Sequence, residues 1–241
     1  MNYPLSVTNV SKTYATGIRK TTTVLHNCSL QVKKGEVVSL IGINGAGKTT
    51  LLKMLVGITL PTTGSITIEG RSVTHPLTRR HVGYMPENPQ FYGDISADTF
   101  LRHIAGLFQQ NPQTARTTAH TLLALVDLSN AARRPIRTYS KGMRQRLGFA
   151  QALVGSPKIV LLDEPLDGLD PLGRRTLKNQ ITALKKTGTT VIVCSHILSD
   201  IAEISDRVGV LHQGTLSKLQ TPQSFIGDAP SLEEAFVATI S

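Results

Sequence analysis

The sequence predicts an α/β fold, a parallel sheet covered by helices on both faces and interrupted by a helical lobe. Three observations carry this reading. Short β-branched runs alternate with helix-spaced segments after residue 157. A glycine-rich stretch at 42–47 joins one buried strand to a helix. Between about 87 and 155 the strand pattern gives way to capped helices. A chain of 241 residues with 40% hydrophobic side chains has material for a sizeable core. No window of eighteen consecutive apolar residues occurs, so no transmembrane helix is expected. Met1-Asn2-Tyr3-Pro4 lacks the basic-then-apolar pattern of a secretory signal. Cys28 and Cys194 are far apart, fit no metal spacing, and are expected to be two reduced thiols in the cytoplasm.

Taken in order, residues 5–14 alternate and read as an edge strand. Gly17 and Thr21–Thr23 read as a turn before a strand at about 28–32. Val37-Val38-Ser39-Leu40-Ile41 is a buried strand, and Leu51, Leu52 and Leu55 give helical spacing over 48–57. Strands are expected at 65–69 and 81–85. Ser96 can cap a helix bearing Phe100, Leu101 and Ile104, Asn111-Pro112 can start a second, and Ser140 can cap a third that ends near Gly155. Strands at 158–162, 189–194 and 207–211 then alternate with helices at 171–186 and near 198–205.

Charge narrows the function classes without deciding between them. The chain holds 26 Lys and Arg against 16 Asp and Glu, a net +10. Residues 1–162 carry 19 cations and 6 acids, whereas residues 163–241 carry 7 cations and 10 acids. That asymmetry suits nucleic acid, an anionic membrane surface, or a phosphate-rich substrate.

The motifs choose among these. Gly42-Ile43-Asn44-Gly45-Ala46-Gly47-Lys48-Thr49-Thr50 follows a strand and opens a helix, as a phosphate-binding loop requires. Its glycines let backbone N–H groups reach a phosphate, and the helix N-terminus adds partial positive charge. Lys48 can neutralise β- and γ-phosphate oxygens, and the Thr49 hydroxyl can ligate Mg²⁺. Ile159–Leu162 is an apolar strand ending in Asp163-Glu164. Asp163 can meet the same Mg²⁺ at the strand end, and Glu164 can polarise a water in line with the γ-phosphate. These residues point to a Mg²⁺-dependent nucleoside triphosphatase.

The segment Thr138-Tyr139-Ser140-Lys141-Gly142-Met143-Arg144-Gln145-Arg146-Leu147 resembles the signature of ABC-transporter ATPases and lies 23 residues before Asp163. The resemblance implies a P-loop NTPase core with a mostly parallel sheet, an N-terminal antiparallel β subdomain and an inserted α-helical lobe. It implies one ATPase domain over 1–241, with 1–86 and 156–241 as core and 87–155 as lobe. Tyr14 resembles the aromatic that stacks on adenine. His196 matches the histidine at the γ-phosphate, and Gly168-Leu169-Asp170 the segment that crosses a nucleotide-bound dimer. Ser140 and Gly142 would reach the nucleotide of the opposite protomer. The implied partners are a second ATPase, identical or paired, and a separately encoded multi-span permease at the cytoplasmic face of the membrane. Transmission to that permease would run near Glu87 and residues 88–108, with Phe91, Tyr92 and Phe100 as candidate contacts. ATP and Mg²⁺ are the implied cofactors, and no nucleic acid is expected.

Three positions depart from the family pattern. Glu87 replaces the usual Gln in the loop joining core to lobe, as a less certain Mg²⁺ ligand than Thr49 and Asp163. Lys141 puts a cation in the signature, beside the opposite protomer's nucleotide. Asp167 stands where a neutral residue is usual, with no assigned role. The first two departures resemble the branch serving exporter-type permeases. Within it, Tyr84–Asn88, Phe91-Tyr92, Thr138–Gln151 and Cys194–His196 are similar to ATPases of copper and sulfur delivery for nitrous-oxide reductase maturation. A nucleic-acid-associated ATPase of the repair or translation type is the alternative; it would normally bring a long coiled-coil insertion or a second cassette. Arg133, Arg134, Arg137, Lys141, Arg144 and Arg146 form an acid-free cationic run around the signature, expected partly to face Mg·ATP across a dimer and partly an anionic membrane.

Overall fold

The computed structural model describes residues 3–17 and 20–240; Met1 and Asn2, part of the N-terminal reading, lie outside them. Along the chain run β1 (Leu5–Ala15), β2 (Thr21–Val32), β3 (Val37–Ile41), α1 (Lys48–Val56), β4 (Thr63–Ile68), β5 (Arg71–Ser72) and β6 (Val82–Met85). Three helices follow, α2 (Ala97–Leu107), α3 (Pro112–Leu125) and α4 (Lys141–Leu153). The chain continues with β7 (Ile159–Asp163), α5 (Pro171–Lys186), β8 (Thr190–Ser195), α6 (Leu198–Ile204) and β9 (Arg207–His212). It closes with β10 (Thr215–Leu216), α7 (Pro222–Ile226) and α8 (Leu232–Ile240).

Two sheets form. The larger has strand order β10-β9-β3-β8-β7-β6, with β9, β3, β8, β7 and β6 parallel and β10 antiparallel at its edge. Strands β3, β7 and β8 are buried at every residue. This is why they read as continuous Val, Ile and Leu runs rather than alternating ones. The smaller sheet is antiparallel, in the order β2-β1-β4-β5.

Two sequence expectations are corrected there. Strand β1 is interior, pairing with β2 on one side and β4 on the other, so it is not an edge. Thr21–Thr23 are not a turn but the start of β2, where Thr22 pairs with Tyr14 and Thr23 with Thr13. Threonine suits a half-exposed pleated surface, and that preference prevailed over its frequency in turns.

The helices begin where their capping residues stand. Ser96, Asn111, Ser140 and Asp170 accept from the backbone N–H of Thr99, Thr114, Met143 and Gly173 respectively. Helices α2–α4 share a core that includes Phe100, Leu101, Leu122, Leu147 and Phe149. Phe91 and Phe100 stack edge to face, centroids 5.2 Å apart. Phe100 is thus lobe core and is withdrawn as a surface contact, whereas Tyr92 is 79% exposed. The cationic run is largely tied into the lobe. Arg144 donates to the Tyr139 carbonyl at 2.6 Å, Arg146 to the Val126 carbonyl at 3.2 Å, and Arg137 pairs with Asp94. Among the described residues no helix is long and apolar enough to cross a membrane.

Candidate functional site

Strand register assembles the site. Ile41 pairs with Ser195, and Asp163 with Cys194, so the C-terminal ends of β3, β7 and β8 lie side by side. The loop after β3, the acids ending β7 and the histidine after β8 therefore converge, as ligand-binding residues do at the carboxyl edge of such sheets. A cavity of about 520 Å³ opens there, lined by residues 44–50 with Val24, Glu87, Asp163, Glu164, Asp167 and His196.

The loop closes onto α1 through Gly47, whose φ of 107° is in the left-handed region. A Cβ at Gly47 would lie 2.7 Å from Leu25, so a side chain is excluded both by conformation and by space. Lys48 is almost fully buried; its Nζ donates to the Gly42 carbonyl at 2.7 Å and lies 3.7 Å from Glu164 Oε1. The Thr49 hydroxyl donates to Asp163 Oδ2 at 2.8 Å, while the buried Asp163 Oδ1 has no hydrogen-bond partner. Burial raises the Asp163 carboxyl above its ordinary range, opposed by the Thr49 hydrogen bond and reinforced by Glu164 and Glu87. A hydroxyl, a carboxylate with an orphaned oxygen and the nearby Glu87 make a hard oxygen donor set that suits Mg²⁺.

Glu164 is buried in the cavity and held at several points. Its φ is 48°, uncommon for a residue with a Cβ, and its backbone N–H bonds to the Cys194 carbonyl at 2.9 Å. Oε2 lies 2.8 Å from His196 Nδ1 and accepts from the His196 backbone N–H at 3.2 Å. Oε1 is the oxygen facing Lys48.

Of the residues singled out from sequence, the cavity lining unites Asn44, Gly45, Ala46, Gly47, Lys48, Thr49, Thr50, Glu87, Asp163, Glu164 and His196. Tyr14, Gly42, Ser140, Gly142 and Asp170 are not part of it. Lys12 Nζ lies over the Tyr14 ring, 4.8 Å from its centroid. Ser140 and Asp170 cap helices, and Asp170 Oδ1 accepts from Gly173 at 2.9 Å. One supporting residue had no role assigned from sequence. Gln145 is 2% exposed, and its Nε2 donates to the backbone carbonyls of Glu164 at 3.0 Å and Glu87 at 3.4 Å. A polar residue amid the apolar positions of the third lobe helix was the available signal.

Residues 25–167 match the family described as ABC transporter. The chain belongs to that family. An ABC transporter ATP-binding protein from Nostoc sp. is 43% identical over 86% of this chain, which spans 63% of that relative. A lantibiotic transport ATP-binding protein from Streptococcus pyogenes is 37% identical over 96% of this chain and 95% of its own length. Among solved structures, an ATP binding subunit of an ABC transporter superposes with TM-score 0.87 at 29% identity, covering 97% of this chain and 98% of that one. An ATP-binding cassette described as a dimeric post-hydrolysis state with ADP and Pi gives TM-score 0.84 at 25% identity, covering 90% and 98%.

Proposed function

We propose that this ABC ATPase pairs with a second ATPase chain across shared nucleotides and powers a separately encoded membrane permease of the exporter type. The observation that carries the reading is Glu164, held by His196 on one oxygen and facing Lys48 with the other, beside the Thr49–Asp163 pair. In the proposed mechanism the loop amides and Lys48 bind the β- and γ-phosphates. Glu164 takes a proton from the attacking water as its oxygen bonds to the γ-phosphorus. The bond from that phosphorus to the β–γ bridging oxygen breaks, ADP departs, and His196 keeps the carboxylate oriented. Mg²⁺, held by Thr49 and Asp163 with Glu87 nearby, would neutralise charge on the phosphate oxygens. Ser140 accepts its cap through Oγ, which leaves the hydroxyl proton to donate to a partner's nucleotide, with Gly142 beside it. Tyr14 is proposed to stack on the adenine, and Asp170 to fix the segment crossing the dimer. ATP binding then favours a closed pair and hydrolysis releases it, and that difference in affinity drives the permease.

The dimer reading draws on the dimeric relative, and the exporter reading on the lantibiotic transport relative. The longest helix of the lobe has 14 residues, which favours a transporter subunit over a nucleic-acid-associated ATPase with a coiled-coil arm. The narrower proposal, copper and sulfur delivery for nitrous-oxide reductase, rests on stretches that flank the nucleotide cavity. ATP-driven transport into inside-out vesicles carrying the chain with its own permease, offering copper or sulfur donors against peptide antibiotics, decides the cargo.

Glu164→Gln tests the site. The variant is expected to bind ATP and double its mass by light scattering with ATP and Mg²⁺, while phosphate release falls by about 10²–10⁴-fold. Hydrolysis at the wild-type rate would remove Glu164 from the mechanism, and a persistent monomer would argue against the sandwich.

A further inference from the structure

The mechanism leaves Lys141 and Asp167 unused, and the structure joins them. Lys141 Nζ lies 2.7 Å from Asp167 Oδ2, an ion pair linking the first residue of α4 to the loop after β7. A Cβ at Gly168 would lie 2.6 Å from Lys141 Cδ and Cε, so the lysine stem crosses the space that a side chain would fill. A Cβ at Gly142 would lie 3.4 Å from the Gly168 carbonyl oxygen, which brings the signature and this loop together at a second point.

Asp167 also lines the nucleotide cavity, while Lys141 does not. Glu87, Asp163, Glu164 and Asp167 thus line the cavity where the polyphosphate would bind, with Lys48 the one lysine or arginine in the described lining. Two of these acids suit a divalent cation and Glu164 serves a water, which leaves Asp167 as repulsion without compensation inside the cavity. Its compensation comes from Lys141, which holds the Asp167 carboxyl below its ordinary range through a direct hydrogen bond. Both side chains are substantially exposed, so the pair adds little to the stability of the fold. Its consequence is for the field in the cavity.

We propose that Lys141 serves its own chain's nucleotide site, neutralising Asp167 and so raising affinity for the polyphosphate, rather than contacting the phosphate held by a partner. The inference rests on the ATP site proposed above and assigns Lys141 a positioning role, acting through Asp167. Because the pair bridges lobe and core, a lobe movement that separates it lowers nucleotide affinity within the same chain, which is a coupling between lobe position and ATP binding.

The test measures binding of a hydrolysis-resistant Mg·ATP analogue to the full chain at concentrations where light scattering shows a monomer. Lys141→Met is expected to weaken binding about three- to tenfold, less so as salt is raised. Lys141→Arg should keep the wild-type affinity, Asp167→Asn should bind at least as tightly as wild type, and Lys141→Met with Asp167→Asn should recover most of the loss. If Lys141→Met leaves monomer binding unchanged and weakens only nucleotide-driven dimerisation, the lysine acts on the partner's phosphate and the proposal is overturned. It is equally overturned if Asp167→Asn gives no recovery in the Lys141→Met background. A wild-type chain that binds no Mg·ATP instead overturns the ATP-site reading beneath it.

Discussion

Replacing Gln145 by methionine isolates the hydrogen bonds through which the lobe reaches the strand end that carries Asp163 and Glu164. Methionine keeps roughly the side-chain volume but has no donor, so the buried carbonyl of Glu164 loses its 3.0 Å partner and that of Glu87 its weaker 3.4 Å one. The Glu164 carbonyl still accepts from the Asp167 backbone N–H at 3.2 Å, so the cost is that of one lost hydrogen bond, about 0.5–1.5 kcal/mol. For a chain of this size each kcal/mol corresponds to about 2–4 °C in Tm, so a fall of roughly 1–6 °C is expected. Gln145→Ala removes the same bonds and leaves a cavity, and should cost about 1 kcal/mol or more beyond methionine. The effect on turnover should exceed the effect on binding. Glu164 sits at a φ of 48°, and its backbone is held by Cys194 on the N–H and by Gln145 and the Asp167 N–H on the carbonyl. Releasing the one that comes from the lobe lets the carboxylate drift, which is expected to lower kcat by up to about tenfold with KM for ATP nearly unchanged. The assays are thermal unfolding by circular dichroism and steady-state phosphate release. A methionine variant with wild-type Tm and kcat would refute the reasoning, because it would show that the Glu164 carbonyl does not need the lobe.

Two further outcomes follow from the same structure. Arg207→Ala strips the buried Glu36 carboxylate of a two-point pair, Nε to Oε1 at 2.5 Å and Nη2 to Oε2 at 2.8 Å, and should cost about 3 kcal/mol in urea unfolding. A loss below experimental error would mean that water replaces the pair. Asp163→Asn removes a buried charge with an orphaned oxygen, so in chelator without nucleotide its Tm should rise; with ATP and Mg²⁺ the ligand-induced gain expected for wild type should vanish. A variant still stabilised by Mg·ATP like the wild type would take Asp163 out of the metal site.

Much of the fold was legible because its signals are local. Cap residues Ser96, Asn111 and Ser140 mark the starts of the lobe helices, and the β-branched runs at 37–41 and 159–163 mark buried strands. The phosphate loop and the acids of β7 could be named because their chemistry depends on residue type at short spacing. The interior place of β1 was not legible, since alternation shows one covered face and says nothing of how many neighbours the backbone pairs with. Helices α7 and α8 and strands β5 and β10 also passed unread, being short and weakly patterned.

By itself, the sequence determined that a strand, a glycine-rich turn, a lysine and a threonine would form one strand–loop–helix corner at a cavity, because the loop and the helix terminus are set within a few residues. The tertiary structure alone decided what surrounds that corner. Sheet register brings Cys194 and His196 to Asp163 and Glu164, and packing of α4 brings Gln145 beneath Glu164 and Lys141 onto Asp167. These meetings join residues 19 to 32 positions apart. No local preference encodes such a distance; only the burial of the whole sheet and lobe fixes which side chains finish within hydrogen-bond reach.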